Sequence, residues 1–237
     1  MTRTLVTIPI SHFCEKARWA LERAGLDYTE QRHIQIVHIA AVKRAGGRRS
    51  APVLRTQEGS FDDSTAILRY ADEHGPPHLR LYPSEEPARS EVMALEERFD
   101  GVLGPESRRW LYYEVFKDAR RFSSYNLSGV PAWERRIFPF VLSPAKAIIR
   151  RRLVDRELDF VAGMLADGRR YLTGDRFSAA DLTFAALCAP LIAPVQYGTE
   201  LPQPDVMPAS MGERVRAWRE HPAGAFALAL FAQERRR

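Results

Sequence analysis

The chain has 237 residues, of which 45% are hydrophobic and 27% charged, with a formal net charge of +5. That length can bury one large core or two modest ones, and the composition is that of an ordinary globular protein, not a disordered or fibrous one. The basic residues are scattered through helical patterns among 30 acids, which argues against a nucleic-acid face.

From Thr4 to Ile10 the apolar and β-branched run "TLVTIPI" predicts a short buried strand that stops near Pro9. A helix follows from about Cys14 to Ala24. Phe13, Ala17, Ala20, Leu21 and Ala24 recur at helical spacing, Glu15, Arg18, Glu22 and Arg23 are assigned to the opposite side, and Gly25 supplies the stop. "LDYTEQRHI" reads as a second strand and "IAAVKRAGGRRS" as a short helix with a basic loop. "APVLRT" is a third strand that opens on Pro52, "SFDD" is a fourth after the turn "QEGS", and "STAILRYADEHG" is a helix. "GPPHLRLYPSEEP" carries four prolines and reads as a linker. Beyond it the periods are helical throughout. We therefore divide the chain into an α/β domain over residues 1–82, a linker over 83–88 and an all-α domain over 89–237.

Two cysteines far apart, Cys14 and Cys188, with no apparent signal peptide, predict no disulfide framework and a cytoplasmic, reducing setting. The apolar stretch "IFPFVLSPAKAII", residues 137–149, is cut by Pro139, Pro144 and Lys146 and is shorter than the roughly 20 residues of a membrane span. No membrane, metal or nucleotide motif is read from the sequence.

Several short segments carry chemistry. Ser11 lies between a strand and a helix start, where unpaired backbone N–H groups and the helix dipole stabilise an anion; it reads equally as an ordinary N-cap. Cys14, three residues on, resembles the second position of a CxxC pair whose first cysteine is serine, so it reads either as a nucleophile or as a buried small hydrophobe. Pro52 begins its strand. Asp62, Asp63 and Ser64 precede a helix and suit either capping or the head group of an amino acid. "FSAADL" is a capping box, Ser178 with Asp181, flanked by Phe177 and Leu182 as a hydrophobic staple.

Together "SHFCEKARWALERAGLDYTE", "APVL", "DDSTAILRYAD" and "YLTGDRFSAADLTFAAL" resemble the cytosolic glutathione transferases. The resemblance implies a thioredoxin-like N-terminal domain and an all-α C-terminal domain. It implies glutathione as co-substrate, a small hydrophobic electrophile as second substrate, and a homodimer. Ser11 matches the serine of the theta and zeta classes that holds the glutathione thiolate. Pro52 matches the family's cis-proline and would aim the backbone of Val53 at the cysteinyl part, Asp63 and Ser64 match the pair that holds the γ-glutamyl group, and Arg48 or Arg49 would meet the glycyl carboxylate. Two rival readings are a thiol transferase or reductase that uses Cys14 and a binding protein without catalysis. Residues 101–149 align with no single class, and Trp110, Tyr112 and Tyr113 there read as pocket or packing residues.

Overall fold

A computed structural model describes residues 2–117, 127–141 and 151–235. The strands are β1 (Thr4–Thr7), β2 (Thr29–Arg32), β3 (Val53–Arg55) and β4 (Ser60–Phe61). The helices, in chain order, are α1 (His12–Arg23), α2 (His38–Arg44), α3 (Ser64–His74), α4 (Ala88–Arg98), α5 (Gly104–Lys117), α6 (Ala132–Val141), α7 (Arg151–Leu165), α8 (Ala179–Ile192), α9 (Ala209–Glu220) and α10 (Pro222–Glu234). Two compact units emerge. The first gathers the described residues of Met1–Leu79, Val115–Ala145 and Gly198–Glu200, and the second those of Arg80–Glu114, Lys146–Tyr197 and Leu201–Arg237.

The first unit is a four-stranded sheet in the order β2-β1-β3-β4, with β1 parallel to β2 and antiparallel to β3. β3 and β4 form the expected hairpin. Successive strand residues face opposite sides. Val6 and Val53 therefore meet Ala41, Val42 and Ala45 of α2 on one face, while Thr7 turns to the face that carries α1 and α3. β1 is shorter than the sequence suggests. It ends at Thr7 because Pro9 has no N–H to give a ladder and the Ile8 carbonyl accepts from Ser11 N at 3.1 Å. β2 shortens with it, having only four residues to pair with.

Of the residues assigned to the opposite side of α1, Glu15 and Arg18 are buried and Glu22 and Arg23 half-buried. Glu15, Lys16 and Arg18 are buried with Ala17, Trp19, Ala20 and Leu21, because the helix shares its face of the sheet with α3, which packs along it, and has little free surface. Helix α6 belongs to this unit, where Val130 and Phe138 pack on Ile34. It runs through Pro139, which the sequence reads as a break. The remainder of the stretches singled out there, residues 118–126 and 142–150, lies outside the described residues.

The second unit is helical, with one isolated bridge between Tyr171 and Gly174 among its described residues. Its centre is α8, buried on every side. Asp181 accepts from Ser178 N at 2.9 Å and from Leu172 N at 2.8 Å, so the capping box also ties down the preceding loop. Residues 99–103 form a π-helical turn that joins α4 to α5. His221 separates α9 from α10, which opens on Pro222. Among the described residues no helix is long and apolar enough to cross a membrane.

Candidate functional site

Three of the sequence-selected features come to one end of the sheet. β1 finishes there and leads into α1 through Ser11. Val53 pairs with Val6, so the antiparallel β3 starts beside the end of β1, and Pro52 lies at that start. Phe61 pairs with Leu54, so β4 returns to the same end and delivers Asp63 and Ser64. Lys16, without exposed surface, donates from Nζ to Thr65 Oγ1 at 2.8 Å and fixes the first turn of α1 to that of α3.

Ser11 is the N-cap of α1. It is half-buried, with extended backbone, and its Oγ accepts from Cys14 N at 3.4 Å. A hydroxyl has one donor and two acceptor positions. Capping uses an acceptor, and the hydroxyl also hydrogen-bonds the Cys14 sulfur, a weak acceptor.

The Ala51–Pro52 bond is cis, as the resemblance implies, and Glu86–Pro87 is a second cis bond that the sequence does not flag. Pro52 and Val53 are buried, and the Val53 side chain belongs to the packing under α2. Asp63 is the N-cap of α3, accepting from Thr65 N at 2.6 Å and Ala66 N at 3.4 Å, and leaves its other oxygen outward. Ser64 is buried behind it. Arg48 Nε donates to Asp62 Oδ2 at 3.0 Å from an otherwise exposed loop, so its guanidinium is at this end of the unit.

Cys14 lies in the first turn of α1 with no exposed surface, and its Sγ accepts from Ile8 N at 3.4 Å. Burial pushes its thiol up, against the opposing pull of Arg18 and the Ser11 hydrogen bond. Cys188 sits inside α8, and burial pushes its thiol up to about 12. Trp110 is core, packed edge-on to Trp218 at 4.8 Å, while Tyr112 and Tyr113 are half-buried.

The residues that sequence reasoning missed lie directly under Ser11. Arg18 is 1% exposed and donates to Glu30 Oε1 at 2.7 Å and Glu15 Oε2 at 3.3 Å. Its remaining N–H groups reach the carbonyls of Ile8 at 3.4 Å and Pro9 at 3.3 Å, the two residues of the turn that presents Ser11. Glu30 also accepts from Thr7 Oγ1 and from Arg32. Burial alone would raise the Glu30 carboxyl, but Arg18, Thr7 and Arg32 together hold it below its ordinary value. The peptide of Gly198 completes the network, its N–H given to Glu15 Oε2 at 2.9 Å and its carbonyl receiving Arg32 Nη2 at 3.1 Å. A side chain at 198 would collide with Glu15 and Arg18. Buried charges persist only when paired and hydrogen-bonded, and this set is.

Comparison with known proteins gives the family and the fold. The family profile of the glutathione S-transferase N-terminal domain matches residues 5–78, and that of the C-terminal domain matches residues 131–221. No curated protein matches the sequence significantly. Among solved structures, a glutathione S-transferase from Rhodospirillum rubrum is 22% identical over 98% of this chain and 99% of its own, with a TM-score of 0.57. One from Xanthobacter autotrophicus is 17% identical over 98% and 93%, with a TM-score of 0.61. One from Methylobacterium radiotolerans, in complex with glutathione sulfonate, is 18% identical over 96% and 95%, with a TM-score of 0.56. At these identities the structures speak for the fold. The two profiles together span more than two thirds of the sequence, one on each side of the proline-rich stretch, and on that ground the chain belongs to the glutathione S-transferase superfamily.

Proposed function

We propose that the protein is a glutathione transferase that holds glutathione at the Ser11 end of the first unit and conjugates its sulfur to a small apolar electrophile. The observation that carries this reading is the meeting of three features at one sheet end: a half-buried N-cap hydroxyl, a cis-proline strand start, and the Asp63–Ser64 helix start. In this reading the Ser11 hydroxyl donates to the glutathione sulfur and the start of α1 adds its positive end, so the thiolate persists near neutral pH. The main chain around Pro52 and Val53 meets the cysteinyl part. The outward oxygen of Asp63 takes the γ-glutamyl ammonium, and the start of α3, with Ser64, takes its carboxylate. Arg48 or Arg49 meets the glycyl end. With the thiol proton passed to solvent, the thiolate forms a carbon–sulfur bond to the electrophilic carbon as that carbon gives up the electron pair of a leaving group, a strained ring bond or a π bond, and the enzyme contributes a higher thiolate fraction and a fixed approach.

Cys14 stays outside this chemistry because its sulfur is wholly buried and its thiol is raised. We further infer a cytoplasmic homodimer. The test is an ultraviolet titration of the thiolate band of bound glutathione in wild type and Ser11→Ala. The band is expected at lower pH than for free glutathione in wild type and shifted back in the variant. Titration at the pH of free glutathione in both would overturn the Ser11 mechanism. Failure of immobilised glutathione to retain the protein, with no electrophile turned over, would replace the enzyme reading with a binding one.

A further inference from the structure

The opposite face of the sheet holds a cavity that the glutathione reading does not use. α2 has seven residues, about 10 Å of helix, and covers Val6 and Val53. The residues that continue the same face, Thr4, Gln31 and Arg55, are left as the floor of a cavity of about 600 Å³, walled by Ala41 and Arg44 of α2 and by Ala45 just after it, and closed at one side by Gly129 and Pro131. The alanines leave the volume open, and it lies within the range of small-ligand sites.

Its electrostatics are one-sided. Three arginines line it, Arg32, Arg44 and Arg55, with a single carboxylate, Glu30. Glu30 is already engaged by Arg18, Arg32 and Thr7 and cannot neutralise the others. Arg44 and Arg55 make no hydrogen bond or ion pair among the described residues, although Arg18, Arg32, Arg48, Arg98, Arg169 and Arg216 all do. Two free guanidinium forks beside the Thr4 hydroxyl and the Gln31 amide offer planar pairs of donors of the kind that phosphate oxygens accept.

We propose that this cavity is a second binding site, for a small multiply charged anion of the phosphate ester or pyrophosphate class, held by Arg44 and Arg55 on the face away from α1 and α3. The proposal stands apart from the glutathione reading. The test is calorimetry with inorganic pyrophosphate at low ionic strength, with amide chemical-shift mapping on the same samples. Saturable binding with one site is expected, with shifts at Thr4, Gln31, Ala41 and Ala45. Arg44→Gln and Arg55→Gln should each weaken it about tenfold or more, the effect of removing a charged hydrogen-bond donor. Arg69→Gln, an exposed arginine on α3, should leave it unchanged. Absence of saturable binding, an undiminished affinity in the Arg44→Gln/Arg55→Gln double variant, or an equal loss in Arg69→Gln would each overturn the proposal. Glutathione affinity of the double variant, measured in parallel and expected unchanged, separates this site from the Ser11 end.

Discussion

Ser11 and Ser178 occupy the same local position, the extended residue that precedes a helix, and their surroundings separate them. Ser178 is 4% exposed; its hydroxyl donates to Asp181 at 2.7 Å and accepts from Thr173 at 3.2 Å, so its hydrogen-bonding capacity is used inside the unit. Ser11 is half-buried, makes one long capping bond, and otherwise meets only the Cys14 sulfur, while Arg18, Glu15 and Glu30 gather the nearby charge. The same residue type thus locks a fold in one place and is held more weakly, by a sulfur and one long bond, in the other. What differs is whether a carboxylate stands three residues on to accept the proton: Asp181 does so for Ser178, and Cys14 stands at the corresponding position after Ser11.

The sharpest way to break that contrast is to remove the layer beneath Ser11. Arg18→Leu leaves Glu15 and Glu30 as buried carboxylates without their guanidinium, and a loss of about 3–5 kcal/mol is expected, read from urea denaturation. Arg18→Lys should recover only part of it, since one ammonium cannot reach two carboxylates and two carbonyls. Asp181→Ala, at the other helix, leaves the Ser178 and Leu172 N–H groups without acceptors and should cost about 2–3 kcal/mol in the same measurement, with no change in glutathione affinity. Ser11→Ala should behave in the reverse way. It loses about 0.5 kcal/mol of stability, the low end for a cap, while turnover with a model electrophile falls about tenfold or more.

A finer test uses pH. Glu30 has a folded-state pKa below its ordinary value, so its contribution to stability is present above the ordinary carboxylate range and is lost as pH falls through the folded value. Stability measured from neutral pH into acid should therefore sag in wild type, and Glu30→Gln should be weaker at neutral pH with a flatter acid limb. The smallest effect is a null one. With Cys14 and Cys188 both buried and their thiols raised, neither should react with an aromatic disulfide reagent at neutral pH until the chain is unfolded.

Signals confined to a few adjacent residues were readable in advance. The cap at Ser11, the box of Ser178 and Asp181, the hairpin after Pro52 and the start of α3 each depend on neighbours within a few positions, and local hydrogen bonding is what sequence spacing records. The charged layer was not readable, because Glu15 and Arg18 stand three apart on a helix, which ordinarily describes a solvated ion pair. What buries them is supplied by Glu30 across the sheet and by Gly198, 183 residues further along the chain. Glu134 is the same case: its carboxylate is wholly buried, 2.6 Å from His33 Nδ1 and 2.9 Å from Ile34 N, with 100 residues between.

Those two distant partners bear on how the protein can be taken apart. A fragment that ends at residue 82 carries every residue named at the Ser11 end, yet it lacks the peptide that answers Glu15 and Arg32 and the carboxylate that answers His33. The site is encoded in the first third of the gene product but is finished by residues from the rest of it. Grafting that third onto another helical partner would transplant the ligands of the site without the clasp that holds them, unless a glycine peptide and an acid are supplied at the matching places.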